Sequence, residues 1–463
     1  MSGKAMLRFF LLMLVCLAAG ACASTRPDLV RLYESAADNA DQPPVIVMHG
    51  LAGSTLVDAK TGKQFWPGSL STLAFSDYRN LAQMSAEDRE GEGLRPGDFV
   101  YGVAGVDFYG DLLRSLETVG RLHRGVPGES VGAQRRHYYV FLYDWRKDNL
   151  VAVRKLHELI EQIRLDYRDP NLRVDIIAHS NGGLIANYYL RYGPHDVLEQ
   201  PSFTPWQEGD KRIRRLIMLG TPSLGAVTSL ERLVYGTRLG LRTVPVEVMA
   251  TFATPFQALP HPLVKPILDV RGRPVDLNIY DDKLWRERQW GVFSPEVTAR
   301  VRASMATPAE GERALAELQA TFVRHLHRAE RLQWALTAPF PAPKVEIAAF
   351  GGDCELTPGH AVLIDDVQGS RLVFRPGQVG DYLVGEAGKK PVRLDYGRLM
   401  FEPGDGLVTR SSQVAREPID RDRASDNFHA LPISQYFFLC ESHGRLTHNL
   451  YFQNNLLYFL LSR

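Results

Sequence analysis

The chain has 463 residues, 45% of them hydrophobic and 23% charged, with a formal net charge of +1. That length accommodates one large domain with insertions, or two domains. A near-neutral balance with no long run of one sign excludes a nucleic-acid surface, and no stretch after residue 22 is apolar enough to cross a membrane.

The first residues carry an address. Lys4 and Arg8, the apolar run 9–17 and the small residues 18–21 read as a secretory signal over residues 1–21. The run ends at Cys22 in the manner of a bacterial lipobox, with Ala19 where leucine is usual. Cleavage before Cys22 and its acylation would anchor the protein to a membrane; plain secretion, with cleavage near Ala21 or Ala23, is the alternative. Ala23 is not acidic, which the usual sorting rule reads as permission for the outer membrane. The expected location is therefore the bacterial cell envelope, on the periplasmic or surface side, with residues 22–43 as a tether. Export leaves Cys354 and Cys440 in an oxidising compartment, where they are candidates for a disulfide.

Residues 44–48, P-V-I-V-M, form a short strand that runs into H-G-L-A-G. A glycine-bearing loop at such a strand end is where a hydrolase places a backbone donor for an oxyanion, here the N–H of Leu51. A loop-rich stretch follows, with an acidic segment over 87–97, then a helix over 108–119 and a strand over 138–143 ending in Asp144-Trp145-Arg146. Asp144 and Arg146 read as a buried or half-buried ion pair with a structural role. Residues 149–167 form an amphipathic helix, with Leu156, Leu159, Ile160 and Ile163 at helical spacing.

Residues 174–178, V-D-I-I-A, fill a buried strand, and Ser180 follows among small residues. The pattern A-H-S-N-G, leading into a helix from Leu184, is a nucleophile elbow. Its strained turn requires small side chains two before and two after the serine, here Ala178 and Gly182. The N–H of Asn181 is the second oxyanion donor. His179 neighbours the serine in sequence, but its side chain is expected to point away from it. Residues 215–219 form the next strand. This alternation over 44–222 predicts a mostly parallel sheet whose function sits at the carboxyl ends of its strands. It stops over 223–341, where proline-rich turns, aromatics and a helix over 309–332 suit a cap. The sheet resumes at 345–350; β-rich segments are expected over 361–374 and 392–401, a last strand over 433–440, and a closing helix over 449–461.

A serine hydroxyl needs a histidine base, and the base needs an acid to hold its tautomer. Ser180, Asp405 and His443 arrive in the order of an α/β-hydrolase. Asp405 lies between two glycines that let it turn inward; Asp353 is the rival acid. For the base, the loop position favours His443, while His448 at the start of the closing helix is the alternative. No metal site is expected, since there is no H-E-x-x-H and the two cysteines lack a second ligand pair. No cofactor is expected.

The stretches P-V-I-V-M-H-G-L-A-G-S-T-L, F-L-Y-D-W-R, I-I-A-H-S-N-G-G-L, M-L-G-T-P, G-D-G-L-V-T-R-S and the H-G…H-N-L…N-N-L run resemble the lecithin:cholesterol acyltransferase family, in its order and over nearly the whole mature chain. The resemblance implies an α/β-hydrolase fold with a cap inserted after the sixth strand, core segments over 44–222 and 342–463, and acyl-enzyme chemistry on lipid esters. It supports Ser180, Asp405 and the N–H groups of Leu51 and Asn181; with one gap, its histidine falls on His448. His49-Gly50 stands where the family often has Pro-Gly. The expected activity is that of a serine acyl hydrolase or acyltransferase on phospholipids or other lipid acyl esters, acting at a membrane. A soluble-ester or polyester hydrolase and a catalytically silent lipid-binding lipoprotein are the alternatives. The oligomeric state is not legible.

Overall fold

The computed structural model describes residues 26–37, 39, 41–83, 93–103, 106–239, 241–341, 343–367, 369–380, 383–384, 392–415, 428 and 431–461. The signal sequence, Cys22 and residues 87–92 of the acidic segment lie outside the described residues. Of the expected tether, 29–32 and 34–37 are helical. Leu29 is buried, and the Tyr33 hydroxyl donates to the Asn454 carbonyl at 2.6 Å.

Seven strands make the central sheet: β1 (Val45–Met48), β2 (His123–Arg124), β3 (His137–Phe141), β4 (Val174–His179), β5 (Ile213–Leu219), β6 (Glu346–Gly352) and β7 (Gln435–Leu439). Their order is β7-β6-β5-β4-β1-β3-β2, and every pairing is parallel. Both faces are covered, so the strands read as apolar runs rather than alternating ones. Ile46, Ile176 and Leu216 face one layer with α2 (Asn149–Asp166) and α3 (Asn181–Tyr192). Val47, Ile177 and Ile217 face the other, with α1 (Gly110–Thr118) and the closing α6 (Leu450–Leu461). Each such side chain contributes about 1.5–3 kcal/mol by leaving water.

The cap follows β5, the fifth sheet strand in chain order, and holds α4 (Val227–Tyr235) and the long α5 (Pro308–Thr337). Thr307 opens α5 with a capping box to Glu310. The cap has its own core around Trp285, Phe256 and Phe322. That core also takes Ala361, Leu363, Leu372 and Phe374 from the hairpin 361–366/369–373, so the cap draws on chain beyond residue 341. The second expected β segment is mixed: Tyr396–Met400 is a helix, because the Asp395 side chain caps it by accepting from the Arg398 N–H. Among the described residues no helix is long and apolar enough to span a membrane.

Candidate active site

Ser180 sits between β4 and α3 with φ 54° and ψ −121°, in the left-handed half of the map that a serine occupies only when its surroundings compel it. The compulsion is steric and main-chain. Its N–H donates to the Leu219 carbonyl at 2.7 Å, and its carbonyl accepts from the Gly183 N–H at 2.9 Å. A Cβ on Gly50 would lie 2.6 Å from Ser180 Cβ, and one on Gly183 1.9 Å from Thr221 Oγ1. The small residues of the motif are what let the elbow close.

His443 begins a 3₁₀ segment, His443–His448, directly after β7. Its Nε2 is 3.0 Å from Ser180 Oγ and its Nδ1 2.8 Å from Asp405 Oδ2. The geometry makes Nδ1–H the donor to Asp405 and leaves Nε2 to accept from the serine hydroxyl. Asp405 is 1% exposed, and its other oxygen accepts from the N–H groups of Leu407 (3.0 Å) and Val408 (2.8 Å). Burial pushes its carboxyl up, but the His443 imidazole and these two donors outweigh that and hold it below its ordinary value. Asp405 also accepts the His443 N–H on its carbonyl, at 2.8 Å.

The alternatives lie elsewhere. His448 is paired with Asp111, beside Asp107 and away from the serine. Arg114 reaches the same Asp111. Asp353 faces Arg410 at 3.7 Å. Cys354 and Cys440 are bonded, with Cα atoms 5.0 Å apart, and tie the ends of β6 and β7 beside the histidine segment.

His179 departs from expectation. Its ring lies 4.9 Å from that of His443, and its Nε2 donates to the His443 carbonyl at 3.2 Å. Burial, followed by the neighbouring His443, lowers its pKa to about 3, so it is neutral and carries one N–H. Its Nδ1 therefore accepts from the Tyr109 hydroxyl (2.8 Å), which in turn accepts from the Gly50 N–H at 3.0 Å. The loop that carries Gly50 and Leu51 and the histidine segment are thus joined through one buried chain. His49, where the family often has proline, stacks on Tyr143 at 4.1 Å and braces the same loop by bonding the Gly50 carbonyl at 2.7 Å.

Leu51 and Asn181 border a small pocket with Ser180 and His443, and neither N–H has a backbone acceptor among the described residues. The Asn181 side chain is held by a reciprocal amide pair with Asn149, at 2.8 and 3.0 Å. On the other side a largely apolar cavity of about 370 Å³ opens from Ser180, between Leu51, Trp66, Trp145, Met249 and Phe252. The ion pair expected from the sequence is present: Arg146 donates to Asp144 at 2.8 and 3.0 Å, both buried, and to the carbonyl of Leu81, a residue that lines the cavity, at 2.9 Å.

Residues 129–264 match the model of the lecithin:cholesterol acyltransferase family. The segment like lecithin:cholesterol acyltransferase thus runs from before β3, through the elbow, into the cap. Among solved structures, the Tle4-Tli4 complex aligns with a TM-score of 0.54 at 14% identity, over 91% of this chain and 98% of that one. It shows the shared fold. EstA from Clostridium botulinum (TM-score 0.35, 13% identity, 91% and 87% covered) and Staphylococcus hyicus lipase (0.32, 11%, 95% and 97%) also align. No curated protein matches the sequence significantly.

Proposed function

We propose that the protein is a serine acyl hydrolase or acyltransferase acting on lipid acyl esters, held at a membrane by an acylated Cys22. The observation that carries the reading is the Ser180–His443–Asp405 hydrogen-bonded line, opening onto an apolar cavity. Ser180 Oγ attacks the ester carbonyl while His443 Nε2 takes its proton. Leu51 and Asn181 N–H stabilise the oxyanion; one such donor is worth about 10²–10³ in rate. His443 returns the proton to the leaving alcohol, and the acyl-enzyme passes its chain to water or to an alcohol. A protein retired to lipid binding would have no use for the complete line, since losing one member costs about 10⁴-fold or more.

The test uses mature protein without its anchor on mixed phospholipid vesicles, with and without a long-chain alcohol. Free fatty acid and acyl-alcohol are separated as products. Ser180→Ala and His443→Ala should abolish release, and His448→Ala should retain it. Preference for short soluble esters would move the reading to a soluble-ester hydrolase. No release by folded protein would move it to a binding lipoprotein.

A further inference from the structure

Two consecutive peptides of the loop after β1 are held differently. The His49–Gly50 peptide is held at both ends: its carbonyl accepts from the Tyr143 hydroxyl at 2.8 Å, and its N–H donates to the Tyr109 hydroxyl at 3.0 Å. The next peptide, Gly50–Leu51, is held at its carbonyl, by the His49 ring at 2.7 Å and the Gly53 N–H at 3.2 Å. Its other end is the Leu51 N–H, which has no backbone acceptor among the described residues, and Leu51 borders the pocket with Ser180 and His443. In a trans peptide the N–H points opposite to the C=O. Whatever fixes the Gly50 carbonyl therefore aims the Leu51 N–H.

The ring that does so is itself fixed. His49 Nε2 accepts from the Tyr143 N–H at 3.3 Å, which leaves the proton on Nδ1, the atom facing the Gly50 carbonyl. The ring is fully buried, stacks on Tyr143 at 4.1 Å and meets Phe99 edge-on at 5.6 Å. Burial lowers its pKa to about 4 and so keeps it neutral. Gly53 makes room for it, since a Cβ there would lie 2.7 Å from His49 Cβ. A proline at this position could supply no such donor.

We infer that His49 is a positioning residue for acyl transfer, its Nδ1–H setting the direction in which the Leu51 N–H meets the oxyanion. This rests on the reading of the site above and goes beyond it by naming the side chain behind a main-chain donor. A donor peptide free to tilt would have to reorganise as charge develops, and preorganised donors act by avoiding that.

The test compares wild type, His49→Phe and His49→Asn on p-nitrophenyl butyrate and against a long-chain trifluoromethyl ketone. Ser180 Oγ adds to the ketone carbon, the carbonyl π pair becomes the oxyanion, and the serine proton passes to His443; affinity thus reports on the donors. His49→Phe keeps a stacking ring and loses the N–H, while His49→Asn loses the ring and keeps an N–H near the Nδ1 position. His49→Phe should lower kcat about ten- to a hundredfold with KM within about threefold of wild type. It should weaken the ketone by a similar factor and leave unchanged the affinity of the corresponding alcohol, which forms no adduct. His49→Asn should recover most of the loss. Thermal melts confirm folding, and if His49→Phe does not fold, the near-isosteric pair His49→Asn and His49→Leu carries the same comparison. Retained kcat without the N–H, a loss in KM alone, or an asparagine no better than phenylalanine or leucine overturns the inference and leaves the reading of the site standing. Absence of Ser180-dependent hydrolysis by the wild type overturns that reading, and the inference with it.

Discussion

Acid should unfold this protein through its imidazoles before its carboxylates. His49 and His261 are fully buried and His179 nearly so. Burial lowers their pKa values to about 4, about 3 and about 3, respectively. In the unfolded chain each returns to about 6.5. The unfolded state therefore binds more protons below that value, and stability falls as pH falls from 6.5 towards the folded pKa values. At pH 5 each group favours unfolding by about 2 kcal/mol, so the three together by about 6 kcal/mol. A domain's whole stability is about 5–15 kcal/mol. The assay is urea unfolding followed by circular dichroism at pH 7.5, 6.0 and 5.0 and constant ionic strength. The midpoint should drop steeply across that range. His261→Gln, which can keep the bond to Thr337 (2.9 Å), should remove about a third of the slope. Asp175, whose carboxyl burial raises, works in the opposite sense in the carboxylate range, which is why the window is read above pH 5. A midpoint that stays level from pH 7.5 to 5.0 would refute the reasoning.

Other changes probe the supports of the site. His179→Phe removes the donor to the His443 carbonyl and should lower kcat about tenfold or more on a soluble ester; kcat within twofold of wild type would show that His179 positions nothing. Gly183→Ala forces a methyl to 1.9 Å from Thr221 Oγ1 and should cost about 1–3 kcal/mol in denaturant, only part of it recovered by adding Thr221→Ala, which leaves a Cβ 2.8 Å away; purely additive losses would contradict the contact. Arg146→Met strands a buried carboxylate and should cost about 3–5 kcal/mol, while pairing it with Asp144→Leu should recover most of the loss. Reduction of Cys354–Cys440, which span 86 residues, should remove about 4–5 kcal/mol by the chain-entropy model, with activity falling before far-UV signal in a reductant titration. Coincident loss of the two would place the bridge's effect on the whole core.

The elbow was legible because its steric demands fall on neighbours in sequence: Gly182 and Gly183 are small since the end of β1 and the Thr221 loop pass so close. Asp405 was legible from its flanking glycines. The histidine was not decidable, because two lie five residues apart near one strand end; only the 3₁₀ turn starting at residue 443 separates them in space. His179 was misread for a definable reason. Strand alternation sends successive side chains to opposite faces, but Ser180 has left the strand with positive φ, so the rule does not relate the two. Tyr109 had no local signal at all, since it reaches the site from a distant stretch of chain. The first strand of the hairpin over 361–373 opens as an apolar run buried on both faces, and such a run says nothing about which cores it joins.

The tie lines of the active site are mostly main chain. Ser180 N–H bonds the Leu219 carbonyl, Gly220 N–H the Phe350 carbonyl, Asp353 N–H the Leu439 carbonyl and His443 N–H the Asp405 carbonyl. A relay of amides thus links the end of the strand before Ser180 to the segments that carry Asp405 and His443. Side chains that line the cavity can therefore be exchanged while Ser180, His443 and Asp405 keep their places.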